Sequence, residues 1–342
     1  MEFNAIDLFS GCGGLSEGLR QAGFNVIAGI ELDRNATEVY KMNHSEAEIF
    51  NEDIREFDID KIRNLLNGNK LYHLAGCPPC QGFSSIRRLN RKRAVKDERN
   101  NLILEYLRFI EELEPLTIMM ENVPGLINYE LFHDVIDKLK RMGYTIEKKV
   151  VNMVDYGIPQ RRKRLIMVGS LLGEVNIVKG NSEKKTVSDT IGQLEGVEET
   201  DDPVHKIYPN HTKRIQKIIS MIPEDGGSRK DLKRKYWLEC HKKEGVGFND
   251  VYGRLRWNDV SSTITGGCLN PSKGRFLHPE KDRCITAREA ALLQTFPKDY
   301  KFSTNIPKTA LARCIGNALP PKFSKIQAEN IKEHLEQHYL KN

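Results

Sequence analysis

A chain of 342 residues with 39% hydrophobic content can bury a core of ordinary size, so it is expected to fold on its own without disulfide staples. Its formal charge of +6 and pI near 8.8 favour an anionic partner without identifying one. Seven cysteines in no dense array, no apolar run near the ~20 residues of a membrane span, and a start, Met1-Glu2-Phe3-Asn4, without a basic and apolar leader argue against secreted and membrane classes and point to a reducing cytoplasm.

In chain order, residues 6–9 read as a strand, 16–22 as a helix, 26–30 as a strand and 34–42 as a helix. Strands follow at 71–75, 117–120 and 165–168, and helices at 102–113 and 131–142. The strands are uninterrupted apolar runs, as parallel strands covered on both faces require, and the helices repeat apolar residues every three or four positions. These elements predict an α/β fold built on a doubly wound, Rossmann-like parallel sheet. After about Ser170 the alternation fades, and up to Tyr252 the chain is polar and charged, with turn formers at Pro223, Gly226, Gly227, Gly245 and Gly247. A larger domain is expected from residues 1–170 and 306–342, with a second, smaller one from residues 171–305. No internal repeat or low-complexity tract is visible.

The first strand runs into Asp7-Leu8-Phe9-Ser10-Gly11-Cys12-Gly13-Gly14-Leu15. A Gly-rich turn between strand and helix lets a cofactor approach the backbone and the helix N-terminus, although a purely structural turn has the same composition. A dinucleotide fingerprint would place Gly or Ala at position 16, where Ser16 stands, so a nicotinamide cofactor is disfavoured. Glu31 ends the second strand twenty residues after Gly11 and can accept from both ribose hydroxyls of a nucleoside cofactor. Asp53 stands where a third strand would end and can accept from an adenine amino group or serve equally as a helix cap.

Gly76-Cys77-Pro78-Pro79-Cys80-Gln81-Gly82-Phe83-Ser84 lies at the carboxyl end of a predicted strand, the edge at which α/β folds hold ligands. Its Cys-x-x-Cys pair also suits half a zinc site or a redox pair. The other five cysteines supply no second pair for a zinc ribbon, and a basic loop follows where a thioredoxin-like pair would open a helix. One of the two cysteines is therefore read as a nucleophile.

This segment resembles the nucleophile motif of the cytosine-C5 DNA methyltransferase family, and the family's other motifs stand in order around it. Phe9-x-Gly11-x-Gly13 resembles the cofactor loop, Glu121-Asn122-Val123 the proton-donor motif, and Gln160-Arg161-Arg162-Lys163-Arg164 the Gln-x-Arg-x-Arg motif. Arg288-Glu289-Ala290 through Gln294-Thr295-Phe296-Pro297 and Gly316-Asn317-Ala318-Leu319-Pro320-Pro321 resemble the two closing motifs. The similarity, to restriction-modification type members, runs from residue 5 to about residue 325.

The resemblance implies transfer of a methyl group from S-adenosyl-L-methionine to C5 of a cytosine flipped out of a specific duplex DNA sequence. It makes Cys80 the nucleophile that adds to C6, because C5 is otherwise too weakly nucleophilic, and Glu121 the acid at N3. Arg162 and Arg164, two residues apart, would share one face of a strand and hold Glu121, the cytosine O2 and a phosphate. Without Cys80 and Glu121 the same pair would read as a solvated basic edge.

The implied cofactor site takes Phe9, Gly11, Cys12, Gly13, Gly14 and Leu15 from the first loop. Glu31 and Leu32 follow the second strand, Asp53 and Ile54 the third, and Pro79, Leu102, Asn317 and Ala318 complete the set. Leu32 stands where some relatives place an aromatic over the adenine. Implied DNA contacts are Gln81, Ser84, Arg87 and Arg88 in the nucleophile loop, Gln160 beside the arginines, and Arg229, Lys233, Arg254, Thr263 and Thr265 in a target-recognition domain. Between residues 86 and 100, Arg87, Arg88, Arg91, Lys92, Arg93, Lys96 and Arg99 face only Asp97 and Glu98, which suits a loop that meets phosphates and displaces the base.

No metal is called for. Duplex DNA is the implied partner of a monomeric, cytoplasmic, nucleoid-associated enzyme, with a cognate restriction endonuclease acting on the same site without a stable complex. A tRNA cytosine-C5 methyltransferase of the same fold shares the Pro-Pro-Cys-Gln motif, but the long basic recognition stretch favours DNA. A catalytically silent nucleic-acid-binding module would have no need of Cys80, Glu121, Arg162 and Arg164 together.

Overall fold

The computed structural model describes residues 2–79, 101–242 and 250–339. The chain packs as two units, the first comprising Met1–Asn152, Lys163–Asn181 and Leu319–Asn342, the second Met153–Arg162 and Ser182–Ala318. These limits differ from those expected at residues 170 and 306. Residues 171–181 stay with the first unit because Val178 N donates to Gln327 Oε1 at 3.0 Å and Asn330 Nδ2 to Asn176 O at 2.9 Å. Residues 153–162 go with the second because Arg161 N donates to Ser261 O, and Ser261 N to Pro159 O, both at 2.9 Å.

In the first unit, β1 (Asn4–Leu8), β2 (Asn25–Ile30), β3 (Glu48–Phe50), β4 (His73–Gly76), β5 (Thr117–Asn122), β6 (Thr145–Asn152) and β7 (Lys163–Ser170) form one sheet in the order β3-β2-β1-β4-β5-β7-β6. The helices are α1 (Gly14–Gln21), α2 (Arg34–Asn43), α3 (Asp60–Leu66), α4 (Leu102–Leu113) and α5 (Glu130–Arg141). β1 to β5 run parallel, and β7 is antiparallel to both β5 and β6. Residues 165–168 thus lie in an antiparallel strand and not in the parallel one expected. An apolar run reports burial of both faces, not the direction of the chain.

β6 has no clear signal in the sequence, and β3 is marked there only by its expected end near Asp53. β3 has three residues, and β6 is a rim strand whose Lys149 and Val150 are exposed. Charged rim positions of this kind oppose pairing with another chain. The core joins Ile6, Leu8, Leu74, Ile118 and Met120 of the sheet to Tyr106, Phe109 and Ile110 of α4 and Phe132 and Leu139 of α5. The C-terminal helix Pro321–Tyr339 lies so close to α1 that a Cβ on Gly18 would fall 2.3 Å from Ser324 Cβ. Strand order reverses between β1 and β4, which opens a crevice at their carboxyl ends.

The second unit contains α6 (Val187–Ile191), α7 (Lys213–Ser220), α8 (Ala287–Leu293) and α9 (Lys308–Asn317). Its β contacts among the described residues are isolated bridges such as Arg254 with Leu277 and Leu277 with Cys284. Thr186 with Asp189 and Thr286 with Glu289 form capping boxes that start α6 and α8. One apolar cluster consists of Ile219, Ile222, Val251, Tyr252, Leu277 and Cys284. Among the described residues, no helix is long and apolar enough to cross a membrane, and no group of three or more His, Cys, Asp or Glu is placed to hold a metal.

Candidate active site

The chain leaving β1 turns through Phe9, Gly11 and Gly13 with φ of 58°, 57° and 90°. This region is open to glycine, whereas Phe9 pays roughly 1–3 kcal/mol to enter it. The loop is pinned by Ser10 N donating to Ile30 O at 3.1 Å, Gly13 N to Ser10 O at 3.0 Å and Gly11 N to Glu31 Oε2 at 2.9 Å. Glu31 Oε1 accepts from Asp33 N at 2.8 Å. Burial raises the Glu31 pKa, and the backbone donors oppose the rise. No atom lies within 4 Å of the point a Gly11 Cβ would occupy, so the backbone is open there.

Gly14 and Leu15 begin α1, and Cys12 is buried beneath them. Beside Glu31, Leu32 is 61% exposed, an unusual position for a large apolar side chain. Asn51 Nδ2 fixes this corner by donating to Glu31 O at 3.0 Å and Leu32 O at 2.9 Å. Asp53 is paired with Arg55 at 2.5 Å, which holds its carboxyl below the usual range. Ile54 is buried and its carbonyl accepts from Arg108 Nη2 at 2.6 Å. Pro79 is half-buried, and Leu102 packs at the margin of the core.

Asp7 is a contributor that sequence reasoning left without a role. Gly13, at the N-cap of α1, has no side chain with which to cap it. Asp7 does so from β1, its Oδ2 accepting from Ser16 N at 3.1 Å and from Ser16 Oγ at 2.6 Å. Ser16 Oγ also lies 2.9 Å from the Tyr40 hydroxyl. Burial pushes the Asp7 carboxyl up to about 7, against the pull of the Ser16 hydrogen bonds. The available signal was an acid just before a Gly-rich turn, with a hydroxyl in the helix that follows.

At the carboxyl end of β5, Glu121 is 7% exposed. Arg164, near the start of the antiparallel neighbour β7, brings Nε to 2.6 Å from Glu121 Oε1. Backbone register explains the contact: Glu121 faces Ile166, so Arg164 is its diagonal neighbour across the pair. No N–H is aligned on Oε1, so the contact is an ion pair and not a formed hydrogen bond. Asn122 Nδ2 donates to Pro78 O at 2.9 Å and Cys77 N to Leu8 O at 3.2 Å, which ties the segment entering position 80 to the sheet. Cys80, Gln81, Ser84, Arg87 and Arg88 lie outside the described residues.

Residues 3–333 match the family described as C-5 cytosine-specific DNA methylase. The chain belongs to that family. It is 37% identical to the type II methylase M.HgiDII of Herpetosiphon aurantiacus over 97% of this chain and 95% of that protein. It is 31% identical to the type II methyltransferase M.Eco47II of Escherichia coli over 94% of this chain and 77% of that protein. The fold is shared with a DNA modification methyltransferase encoded within an E. coli prophage, at a TM-score of 0.74 and 24% identity over 98% of this chain and 100% of that one. The Dnmt2 methyltransferase of S. pombe aligns at a TM-score of 0.62 and 19% identity, over 98% and 99%. The chain is a DNA cytosine-C5 methyltransferase.

In this methylase Arg162 stands one residue before β7, its carbonyl accepting from Met153 N at 2.9 Å. Arg162 is 2% exposed and donates to Ile264 O at 2.9 Å, Gly316 O at 3.1 Å and Ala318 O at 3.2 Å. It braces the closing Gly316-Asn317-Ala318 segment within the second unit. Gly316 itself is pressed on the Thr265 backbone, where a Cβ would come within 1.9 Å of the carbonyl carbon.

Three of the residues expected to contact DNA are buried. Gln160 is fully buried, its Nε2 donating to Leu293 O at 3.0 Å and its Oε1 accepting from Ile264 N at 3.1 Å. Arg254 is 1% exposed, and Arg229 is buried with its guanidinium 5.4 Å from the Trp237 ring centroid. Their polar heads are engaged within the second unit. Lys233 is exposed. Thr263 Oγ1 donates to Arg161 O, and Thr265 Oγ1 accepts from Gly267 N at 3.4 Å, so both hydroxyls hold backbone turns.

Proposed function

We propose that this methylase acts through Cys80 as nucleophile, Glu121 as the acid at N3 and Arg164 as the residue that orients Glu121, on a cytosine flipped out of duplex DNA. The supporting observation is the ion pair of buried Glu121 with half-buried Arg164 at the same sheet edge as the Gly-rich loop. Addition of the Cys80 thiolate to C6 breaks the C5=C6 double bond and leaves C5 electron-rich. Glu121 relieves the charge that builds on the ring by a proton or hydrogen bond to N3, and Arg164 lies where it can also donate to O2. Once C5 has taken the methyl group with that electron pair, loss of the C5 proton restores the double bond and expels the thiolate.

The loop at residues 9–13 suits S-adenosyl-L-methionine. Gly11 leaves the backbone approachable, and the Glu31 carboxylate, held by Gly11 N and Asp33 N, keeps acceptor capacity for ribose hydroxyls. Leu32 offers an apolar face to an adenine. Bound there, the cofactor would supply the methyl group as an electrophile. In the second unit, exposed Lys213, Arg214, Lys217 and Lys233 suit phosphate contacts, the part of recognition that positions without specifying. On this reading the enzyme works as a cytoplasmic monomer and protects sites from an independently acting endonuclease, a role in keeping with its type II relatives.

Purified protein given labelled cofactor is expected to label duplex DNA, and label appearing only in tRNA would overturn the substrate assignment. A duplex carrying 5-fluorocytosine should trap a covalent adduct, because fluorine cannot leave as the proton does. Cys80→Ser should abolish the adduct; loss with Cys77→Ser and retention with Cys80→Ser would assign the other sulfur.

A further inference from the structure

Every donor of the Arg254 guanidinium is engaged. Nε donates to Ile222 O at 3.1 Å, Nη1 to His278 O at 3.1 Å and Lys281 O at 2.7 Å, and Nη2 to Ile219 O at 3.1 Å and Asp282 Oδ1 at 2.5 Å. An arginine has five N–H groups, and here each meets a separate acceptor. The backbone of the same residue is also held, with Arg254 N donating to Gly227 O at 2.8 Å and Arg254 O accepting from Arg275 Nη1 at 2.7 Å.

Two of the five acceptors, Ile219 O and Ile222 O, lie at the end of α7 and just beyond it. Carbonyls at a helix C-terminus favour a cation, and Ile219 O takes Arg254 in addition to Ile222 N at 3.0 Å. The remaining acceptors belong to the turn at 278–282, which α7 touches a second time through Gln216 Nε2 donating to Asp282 O at 2.5 Å. Arg254 therefore bolts α7 to that turn. The apolar cluster below, built on Ile219, Ile222, Val251 and Leu277, is small, and packing alone fixes the roll of an eight-residue helix only weakly.

The outward side of α7 carries Lys213, Arg214 and Lys217, all exposed, and the helix contains no acid. None of the three is held in an ion pair among the described residues; Glu239 senses the charge of Arg214 but pairs with Lys242. We propose that this face of α7 contacts DNA phosphates and that Arg254 is the positioning residue that sets its orientation. The inference rests on the reading of the second unit as the part that recognises DNA. Arg254 acts through the helix, since its own side chain is 1% exposed.

Arg254→Lys keeps the charge but offers three donors in place of five. The KM for duplex DNA is expected to rise about tenfold, with the cofactor KM and kcat at saturating DNA held within about twofold. The Lys213→Gln/Lys217→Gln double variant should raise the DNA KM comparably and lower the slope of log affinity against log salt by about 2. Adding Arg254→Lys to that background should change nothing further, because both act through the same contact.

Full additivity, or an effect of Arg254→Lys confined to kcat or the active fraction, makes Arg254 a scaffold residue and overturns the proposal. An unchanged DNA KM and salt slope in the lysine double variant also overturns it. If wild-type enzyme still labels DNA in that case, the failure belongs to the role of α7 and not to the DNA reading. Should Arg254→Lys not fold, Asp282→Asn, which weakens one exposed acceptor, takes its place with an expected rise of about threefold in DNA KM.

Discussion

The two units are held together by different means. In the first, a sheet buries apolar side chains on both faces, and its ladders satisfy the backbone as a by-product of pairing. The second has apolar clusters too, among them Phe296, Tyr300 and Phe302, but its backbone is irregular. Buried carbonyls outside ladders still need donors, and arginines provide them. Arg254 holds four carbonyls, Arg162 three, and Arg275 Nη1 reaches Gly226 O, Gly227 O and Arg254 O at 2.9, 3.3 and 2.7 Å. A sheet gives the chemistry a rigid edge, whereas a frame of planar guanidinium groups lets surrounding loops differ while their crossing points stay fixed.

The sharpest way to break this contrast is at Glu121, a polar group in the apolar unit. Glu121→Gln is expected to lower kcat by about 10²- to 10⁴-fold with cofactor affinity by calorimetry and the thermal midpoint nearly unchanged. A large loss of stability with kcat retained would place Glu121 in the frame and not in the chemistry.

Paired substitutions test the contrast directly. Phe109→Ala should destabilise by about 3–5 kcal/mol in urea unfolding through loss of buried area and a residual cavity. Arg275→Met should cost about 2 kcal/mol by leaving carbonyls without donors. If Arg275→Met costs nothing, the second unit is held by packing after all.

The smallest effects lie in pH dependence, and they have opposite signs in the two units. The Asp7 carboxyl at about 7, above its ordinary 3.8, binds a proton in the folded state that the unfolded chain has released. Its contribution is present below 3.8 and is lost as pH rises to about 7, so Asp7→Asn should flatten the decline in stability across that window. Burial lowers His278 of the second unit from 6.5 to about 4. There the unfolded chain binds the extra proton, so stability falls as pH drops from 6.5 towards 4, and His278→Gln should remove that fall. Denaturation midpoints of both variants between pH 4 and 8 would reveal whether the signs differ.

The sequence made the first unit more legible than the second because chemistry and burial leave few choices of residue there. Glu31 follows the second strand as its spacing from Gly11 implied, Glu121 stands near the end of β5, and helix Leu102–Leu113 matches the range its periodicity predicts. The direction of β7 was hidden, since Leu165 to Val168 would be buried in either orientation. In the second unit a charged letter does not say whether its head meets water, DNA or a carbonyl. Arg254 and Gln160 read as DNA contacts for that reason, and the structure finds both buried. Asp7 went without a role because capping a helix from the preceding strand leaves no local spacing rule to find.

β7 lies between β5 and β6 in the sheet although it follows both in the chain. During synthesis, β5 must therefore wait with one edge open, and β6 has no strand to join, until Lys163–Ser170 has emerged. Exposed edges of this kind are where incomplete chains find wrong partners. The segment that closes the edge also carries Arg164 to Glu121, so the sheet is completed and the acid acquires its cation in the same step. A nascent chain stopped before residue 163 has neither, which makes the last strand inserted a built-in delay on competence.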